Sequence, residues 1–332
     1  MIFSKDIGID LGTANVLIHV KGKGIVLNEP SVVAMDRKTN KILAVGKEAR
    51  KMIGRTPQHI VAVRPLKEGV IADFDTTEAM LTYFIDTLKV RGFMTKPQIL
   101  ICCPTNVTSI EQKAIREVAE KSGGRNVYVE VEPKVAAIGS GMDIYQPNGN
   151  MIIDIGGGTT DVAVLSMGDI VASETLKVAG DVFDQDILQY IKKQYKVLIG
   201  ERTAENIKLE IGTAFADGRK GKMEVRGRDM VTGFPKTLSI DSVEIEAALK
   251  ESIALIVSSA KNVLEKTPPE LAADIIDRGI VLTGGGALLH GLDHLLAEEL
   301  KVPVFVSEDP LNCVVKGTGI LLENMSKTSR KR

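Results

Sequence analysis

Two aspartates, each ending an apolar run and each followed by a glycine turn, are the side chains of this sequence best placed to do chemistry. The first stands in Ile7-Gly8-Ile9-Asp10-Leu11-Gly12-Thr13-Ala14-Asn15, followed by Val16-Leu17-Ile18. The second stands in Met151-Ile152-Ile153-Asp154-Ile155-Gly156-Gly157-Gly158-Thr159-Thr160-Asp161, followed by Val162-Ala163-Val164-Leu165. Glycines at such turns let backbone N–H groups approach an anion more closely than a Cβ would allow. One copy would be an ordinary turn, because glycine-rich hairpins mostly just reverse the chain. Two copies on one plan, with Asp154 144 residues beyond Asp10, describe two related halves that offer their hairpin tips to the phosphates of one nucleotide. Backbone amides and hydroxyls of Gly12, Thr13, Ala14 and Asn15 would take one part of a triphosphate, and those of Gly156, Gly157, Gly158 and Thr159 another. Mg2+ prefers oxygen ligands and keeps several waters, so Asp10 and Asp154, facing each other across a cleft, would hold it largely through water. A lone Asp at such a turn would be read as an Asx cap; the matched pair is not.

A third glycine turn, Thr283-Gly284-Gly285-Gly286-Ala287, follows Ile280-Val281-Leu282 and opens a helical pattern, and it is read as the wall for the nucleoside. No G-x-x-x-x-G-K-[ST] occurs, which excludes the P-loop route to ATP.

These loops need rigid elements beneath them. Apolar runs on both sides of each glycine turn predict two β-hairpins with functional tips. Ile99-Leu100-Ile101-Cys102-Cys103 reads as a strand of a sheet covered on both faces. Asp75-Thr76-Thr77-Glu78 resembles a capping box opening a helix that Gly92 ends, and Thr108-Ser109-Ile110-Glu111 opens another that Gly123-Gly124 closes. Strand Val127 to Val131 leads into Glu132-Pro133, with Pro at the first position of a helix. A helix runs on from Phe183, others lie near 46–53 and 204–215, and Lys220 to Lys236 form a basic hairpin. A long helix from Val243 stops at Pro268-Pro269, and Gly317-Thr318-Gly319 begins the last one.

Composition bounds the rest. At 332 residues the chain suits two domains, and 44% hydrophobic with 26% charged residues is a globular balance. A net charge of −1 predicts no general attraction to nucleic acid. Cys102, Cys103 and Cys313 lack metal spacing and read as buried, reduced thiols. With no apolar run approaching the roughly 18 residues of a spanning helix, and no signal-peptide pattern, membrane contact is expected to be peripheral from the cytoplasmic side.

The two Asp-Gly hairpins together with Leu282-Thr283-Gly284-Gly285-Gly286-Ala287-Leu288-Leu289 resemble the actin/Hsp70/sugar-kinase ATPase superfamily, an α/β fold of two related domains, each with an inserted subdomain, around a nucleotide cleft. Asn28-Glu29-Pro30-Ser31, Arg64-Pro65-Leu66-Lys67-Glu68-Gly69, Glu132-Pro133-Lys134-Val135 and Gly200-Glu201-Arg202-Thr203-Ala204-Glu205 are similar to the MreB family of bacterial actins, and lean toward the Mbl-type paralogues of Gram-positive bacteria. The resemblance covers essentially the whole chain. It implies subdomain IA over 1–32, 66–145 and 315–332, IB over 33–65, IIA over 146–182 and 243–314, and IIB over 183–242.

Several further assignments rest on that likeness. Glu132, otherwise an acid at a helix N-terminus, matches the family's water-orienting glutamate, and Thr160 its helper. Glu205 and Lys208, spaced like a surface ion pair, would contact the nucleoside along with Gly284, Gly285, Gly286 and Leu288. Gly180 and Asp181 would sit near phosphate and ribose. Phe93 and Met94, flanked by Lys89, Arg91 and Lys96, read either as the apolar contact after a helix C-cap or as the family's membrane finger. The finger is preferred, with Met1, Ile2 and Phe3 extending its patch. The implied protein polymerises with ATP and Mg2+ into paired antiparallel protofilaments on the inner membrane face, and guides cell-wall synthesis with RodZ, MreC and MreD. The rival is a small-molecule kinase or non-polymerising ATPase of the same superfamily.

Overall fold

The structure is a computed structural model that describes residues 5–90, 96–215 and 219–329, without the side chains of 326–329. The first half is a sheet built on β1 (Ile7–Leu11) and its hairpin partner β2 (Asn15–Val20), extended by β3 (Gly24–Pro30). An insertion follows: β4 (Val33–Asp36), β5 (Ile42–Val45), α1 (Lys47–Met52) and β6 (Ile60–Val63), the strands forming a small sheet of their own. The short ribbon β7 (Leu66–Lys67) and β8 (Val70–Ile71) precedes α2 (Phe74–Thr87). Strand β9 (Ile99–Cys103), helix α3 (Ser109–Lys121) and strand β10 (Val127–Val131) complete the sheet, and α4 (Glu132–Gly139) leaves it. Its order is β10-β9-β1-β2-β3, with β9 parallel to β1 and to β10.

The second half repeats the plan. Its centre is β11 (Asn150–Ile155), hairpinned to β12 (Thr160–Ser166) and followed by β13 (Asp169–Leu176). The chain then runs through α5 (Gly180–Tyr195), β14 (Val197–Leu198), α6 (Glu201–Ile211), β15 (Lys222–Asp229), β16 (Pro235–Asp241), α7 (Ser242–Lys266) and α8 (Pro269–Arg278). It returns through β17 (Ile280–Thr283), α9 (Leu292–Leu300), β18 (Val304–Val306) and α10 (Cys313–Ser329). Read from β18, the sheet order is β18-β17-β11-β12-β13, the order of the first half strand for strand.

The runs that read as continuously apolar are the central strands: every residue of β9, β11 and β12 is buried. Ile9, Ile18, Met80, Phe84 and Ile101 pack the first core; Ile153, Val162, Phe183, Leu249 and Ile256 pack the second. Between them Val135, Ala136, Ile152, Ala163, Cys313 and Val314 form a joint where α4 and α10 meet. Glycines bring these helices into backbone contact: a Cβ on Gly139 would lie 1.8 Å from the Cys313 carbonyl oxygen, and one on Gly317 2.0 Å from that of Val135.

Several expected boundaries move, each for a local reason. Helix α2 is capped by Asp73, whose carboxylate accepts from Thr76 N at 3.0 Å, so the cap lies before the 75–78 stretch. It ends at Thr87, and Gly92 lies outside the described residues. Pro133 is the second residue of α4, behind Glu132. Helix α5 starts at Gly180, because the Gly156 and Gly157 carbonyls accept from the N–H groups of Gly180 and Asp181. Helix α6 spans 201–211, not 204–215. Helix α10 begins at Cys313, so Gly317-Thr318-Gly319 is interior and serves close packing. Cys102, Cys103 and Cys313 are buried free thiols, and among the described residues no helix is long and apolar enough to cross a membrane.

Candidate functional site

The two hairpin tips have the same internal tie: Gly12 N donates to Asn15 O at 3.1 Å, and Gly156 N to Thr159 O at 2.9 Å. They also touch each other. A Cβ on Gly157 would fall 2.7 Å from Ala14 Cβ, and one on Gly158 2.5 Å from Thr13 Oγ1, so side chains there would drive the halves apart. Gly284 has φ +79°, which an L side chain rarely adopts, and a Cβ there would press on the Ile155 carbonyl. The three glycine turns thus bring backbone close around one cavity of about 320 Å³, with Gly12, Gly156 and Gly284 N already held by Asn15, Thr159 and Pro310 carbonyls.

That cavity is lined by Asp10, Gly12, Thr13, Ala14, Asn15, Glu132, Asp154, Gly156, Gly157, Gly158 and Thr159. Gly180, Asp181, Glu205, Lys208, Gly284, Gly285, Gly286 and Leu288 complete the set named from the sequence, with one exception. Thr160 is fully buried outside it, its hydroxyl donating to Val178 O at 2.6 Å. Phe93, Met94, Met1, Ile2 and Phe3 lie outside the described residues.

Three carboxyl groups, Asp10, Glu132 and Asp154, line the floor, and a fourth, Asp161, is buried outside the lining but raises the proton affinity of Glu132 and Asp154. Burial first, then the charge of Asp154, pushes Asp10 up to about 7. Burial pushes Asp154 up to about 6, held back by the hydrogen bond that Thr283 Oγ1 donates at 2.8 Å and aggravated by Asp161. Glu132, the first residue of α4, is raised well above the carboxylate range by burial, then by Asp161, Asp10 and Asp154. Asp161 is raised by burial although it accepts from Thr175 Oγ1 at 2.6 Å and Thr105 N at 3.0 Å. Charged carboxylates so placed repel one another until a cation joins them. Among the described residues no three acidic, His or Cys side chains form a ready-made metal cage.

The cations of the rim are committed elsewhere. Lys208 does not pair with Glu205; its Nζ lies 2.8 Å from Asp184 Oδ1 and donates to Gly180 O. Asp184 is pushed up to about 6 by burial, against the opposing charge of Lys208. Glu205 instead meets Arg50 of α1 at 2.5 Å, and Arg64 meets Asp181 at 2.8 Å. Each of these pairs joins the first half to the second across the cavity mouth.

Arg50, Arg64, Asp161 and Asp184 were not singled out from the sequence. Asp161 carried a usable signal, since a carboxylate inside an apolar strand needs a partner or a task. The arginines carried none, because their partners lie 155 and 117 residues away.

Comparison with known proteins agrees with this geometry. The MreB/Mbl protein family profile matches residues 4–330. The chain is 67% identical over 331 residues to the cell shape-determining protein Mbl of Bacillus subtilis (strain 168), covering 100% of this chain and 99% of that protein. It is 51% identical over 327 residues to the cell shape-determining protein MreB of Escherichia coli (strain K12), covering 97% and 94%. The crystal structure of MreB 5 of Spiroplasma citri bound to AMPPNP superposes with a TM-score of 0.94 at 42% identity, covering 99% of this chain and 98% of that one. The chain therefore belongs to the MreB/Mbl family, is Mbl-type in sequence, and has the actin-like ATPase fold.

Proposed function

We propose that this protein is a cytoskeletal ATPase that assembles with ATP into filaments on the inner face of the cell membrane and organises cell-wall synthesis in rod-shaped growth. The observation that carries the reading is the pair of matched glycine loops in contact above three carboxyl groups. Bound Mg-ATP supplies the γ-phosphoryl group to be transferred to water, and the chain holds, neutralises and aims. Amides within the Gly12–Asn15 and Gly156–Thr159 turns, other than those of Gly12 and Gly156 that tie the turns together, would bind phosphate oxygens. Asp10 and Asp154 would hold Mg2+, largely through water, and the ion would neutralise phosphate charge. Glu132 orients and polarises the attacking water, a task that suits a carboxylate with raised proton affinity. Thr160 acts indirectly, by fixing the strand after the loop through Val178. Gly180 and Asp181 would sit near phosphate and ribose, and Glu205, Lys208, Gly284, Gly285, Gly286 and Leu288 would contact the nucleoside.

The likeness to proteins named for determining cell shape supports the cellular role. The division into four subdomains, the membrane finger at Phe93 and Met94 aided by Met1, Ile2 and Phe3, and partnership with RodZ, MreC and MreD belong to the same proposal. Many weak lipid contacts tied together in a filament give firm binding. The deciding experiment is electron microscopy on anionic liposomes with Mg-ATP, comparing wild type with Glu132→Ala. Membrane-bound filaments from both, with phosphate release lost only in the variant, support the reading. A wild type that stays monomeric under every nucleotide and lipid condition overturns it and leaves the small-molecule kinase.

A further inference from the structure

In each half the carbonyl that opens the glycine turn is gripped, and the two halves do it with different groups. The turns correspond through their shared tie, Gly12 N to Asn15 O and Gly156 N to Thr159 O, which makes Gly12 O and Gly156 O equivalent atoms. Gly156 O accepts from Gly180 N at 3.2 Å and Gly157 O from Asp181 N at 2.8 Å, both donors at the start of α5. A helix start has N–H groups to spare, so the second half needs no side chain for this. The first half has no helix at that place: the chain passes from β3 through Ser31 and Val32 into β4. Ser31 does the work instead, its Oγ donating to Gly12 O at 2.6 Å and its N to Ala14 O at 3.0 Å.

The side from which Ser31 acts decides what the turn shows to the cavity. Ser31 is fully buried and outside the cavity lining, whereas Gly12, Thr13 and Ala14 line it. In a trans peptide the carbonyl and the N–H that follows it point in opposite directions. A Gly12 carbonyl held toward Ser31 therefore turns the Thr13 N–H toward the cavity. Thr13 N has no hydrogen-bond partner among the described residues, and neither has Gly157 N, its equivalent in the other turn.

This orientation needs a lock. Gly12 has no Cβ to restrict it, so the Gly12–Thr13 peptide can rotate at little steric cost. A rotated peptide would show its carbonyl oxygen to the cavity and repel an anion where the N–H would bind it. The Gly12 and Ala14 carbonyls flank Thr13, so the two bonds from Ser31 hold both of its neighbouring peptides.

We propose that Ser31 is a positioning residue for a bound triphosphate: its hydroxyl locks the Gly12–Thr13 peptide so that the Thr13 N–H donates to a phosphate oxygen. Ser31 acts through the turn and touches no ligand itself. The inference rests on the nucleotide reading above, and its test separates the two.

Displacement of a fluorescent ATP analogue by ATP and by adenosine, which lacks every phosphate, is measured on the full chain with Mg2+ at protein concentrations below assembly. Ser31→Ala is expected to bind ATP roughly tenfold more weakly, the scale of one lost hydrogen bond to a charged group, and adenosine within about twofold of wild type. Ser31→Cys keeps the volume and offers only a weak donor, so it gives the same split and carries the test if the alanine variant folds poorly. Thr267→Val controls for lost stability. It deletes a buried hydroxyl that donates to Val263 O at 2.7 Å just after α7, outside the cavity lining, and leaves both ligands within about twofold. Ser31 variants that bind ATP like wild type, or that lose ATP and adenosine in equal measure, overturn the role of Ser31 alone. Wild type that binds ATP no more tightly than adenosine overturns the phosphate reading of the turns and the positioning role with it.

Discussion

The two halves end their outermost parallel strands in similar corners, an acid followed by proline, and use them in opposite ways. Strand β10 runs straight into Glu132-Pro133, and β18 reaches Asp309-Pro310 three residues after its end. Burial and three neighbouring aspartates raise Glu132, which lines the cavity. Asp309 is partly exposed, and hydrogen bonds from Lys316 and Asn312 lower it. One corner buries a carboxyl that resists losing its proton, and its counterpart holds one paired with Lys316 and Asn312. Duplication of a fold supplies equivalent places, and only the neighbours decide which of them becomes reactive.

The largest expected effect tests that contrast directly. Glu132→Gln should slow phosphate release by about 10² to 10⁴, the range for losing a positioned acid or base, while nucleotide affinity stays within a few-fold. Asp309→Asn should leave single-turnover hydrolysis within about twofold and lower stability by about 1 kcal/mol through the lost pairing with Lys316. Equal kinetic losses from the two substitutions would dissolve the distinction. The joint between the halves is next in size. Gly317→Ala puts a methyl into the Val135 carbonyl, and overpacking there should cost about 3 kcal/mol, read as a lower urea midpoint with an unchanged slope.

That glycine also shows where sequence was and was not legible. The hairpins, the repeat and the three glycine turns could be read because each signal is local: an apolar run, an acid and a turn residue within a few positions. Gly317 was misread as a helix start because sequence shows a glycine's conformational freedom, whereas its use here is the absence of a Cβ against α4. Helix α2 was read two residues late, since Asp73 and Asp75 are both good caps and only the backbone chooses between them. Glu205 and Lys208 look like a pair at helical spacing, but Arg50 and Asp184 offer nearer partners that folding brings from elsewhere. Charges that meet across a cleft leave no trace in local spacing.

The pH response compares the two aspartates. Asp10 has a folded value near 7 against an ordinary 3.8, so the folded state holds the proton more tightly, and this group's contribution to stability is lost as pH rises from about 4 through 7. In nucleotide-free protein, Asp10→Asn should therefore gain on wild type across that window and level off above it. Asp154→Asn should gain less and level off near pH 6, because Thr283 already satisfies its carboxylate. Mg-nucleotide should cancel the gain and reverse it, since the charged forms then have a cation to face. Thermal melts from pH 4 to 8, with and without Mg-ATP, measure both arms. A gain that persists with Mg-ATP bound would remove Asp10 from the metal site.

The smallest effect concerns what joins the halves at the cavity mouth. Arg64 and Asp181 are each about one-third exposed, 31% and 32%, so their 2.8 Å pair is screened and worth about 1 kcal/mol. Arg64→Ala should then speed nucleotide release about fivefold at low salt. Lys177→Ala removes a pair at the same 2.8 Å whose members are 68% and 56% exposed, and it should change release by less than twofold. Raising salt from 50 mM to 500 mM should shrink the Arg64 effect, because ions compete for partly exposed charges over a Debye length of a few ångströms. If the fivefold change persists at high salt, Arg64 acts by filling the mouth with its side chain. The mouth would then be closed by packing, like the joint at Gly317, and not by charge as the paired residues on its two sides imply.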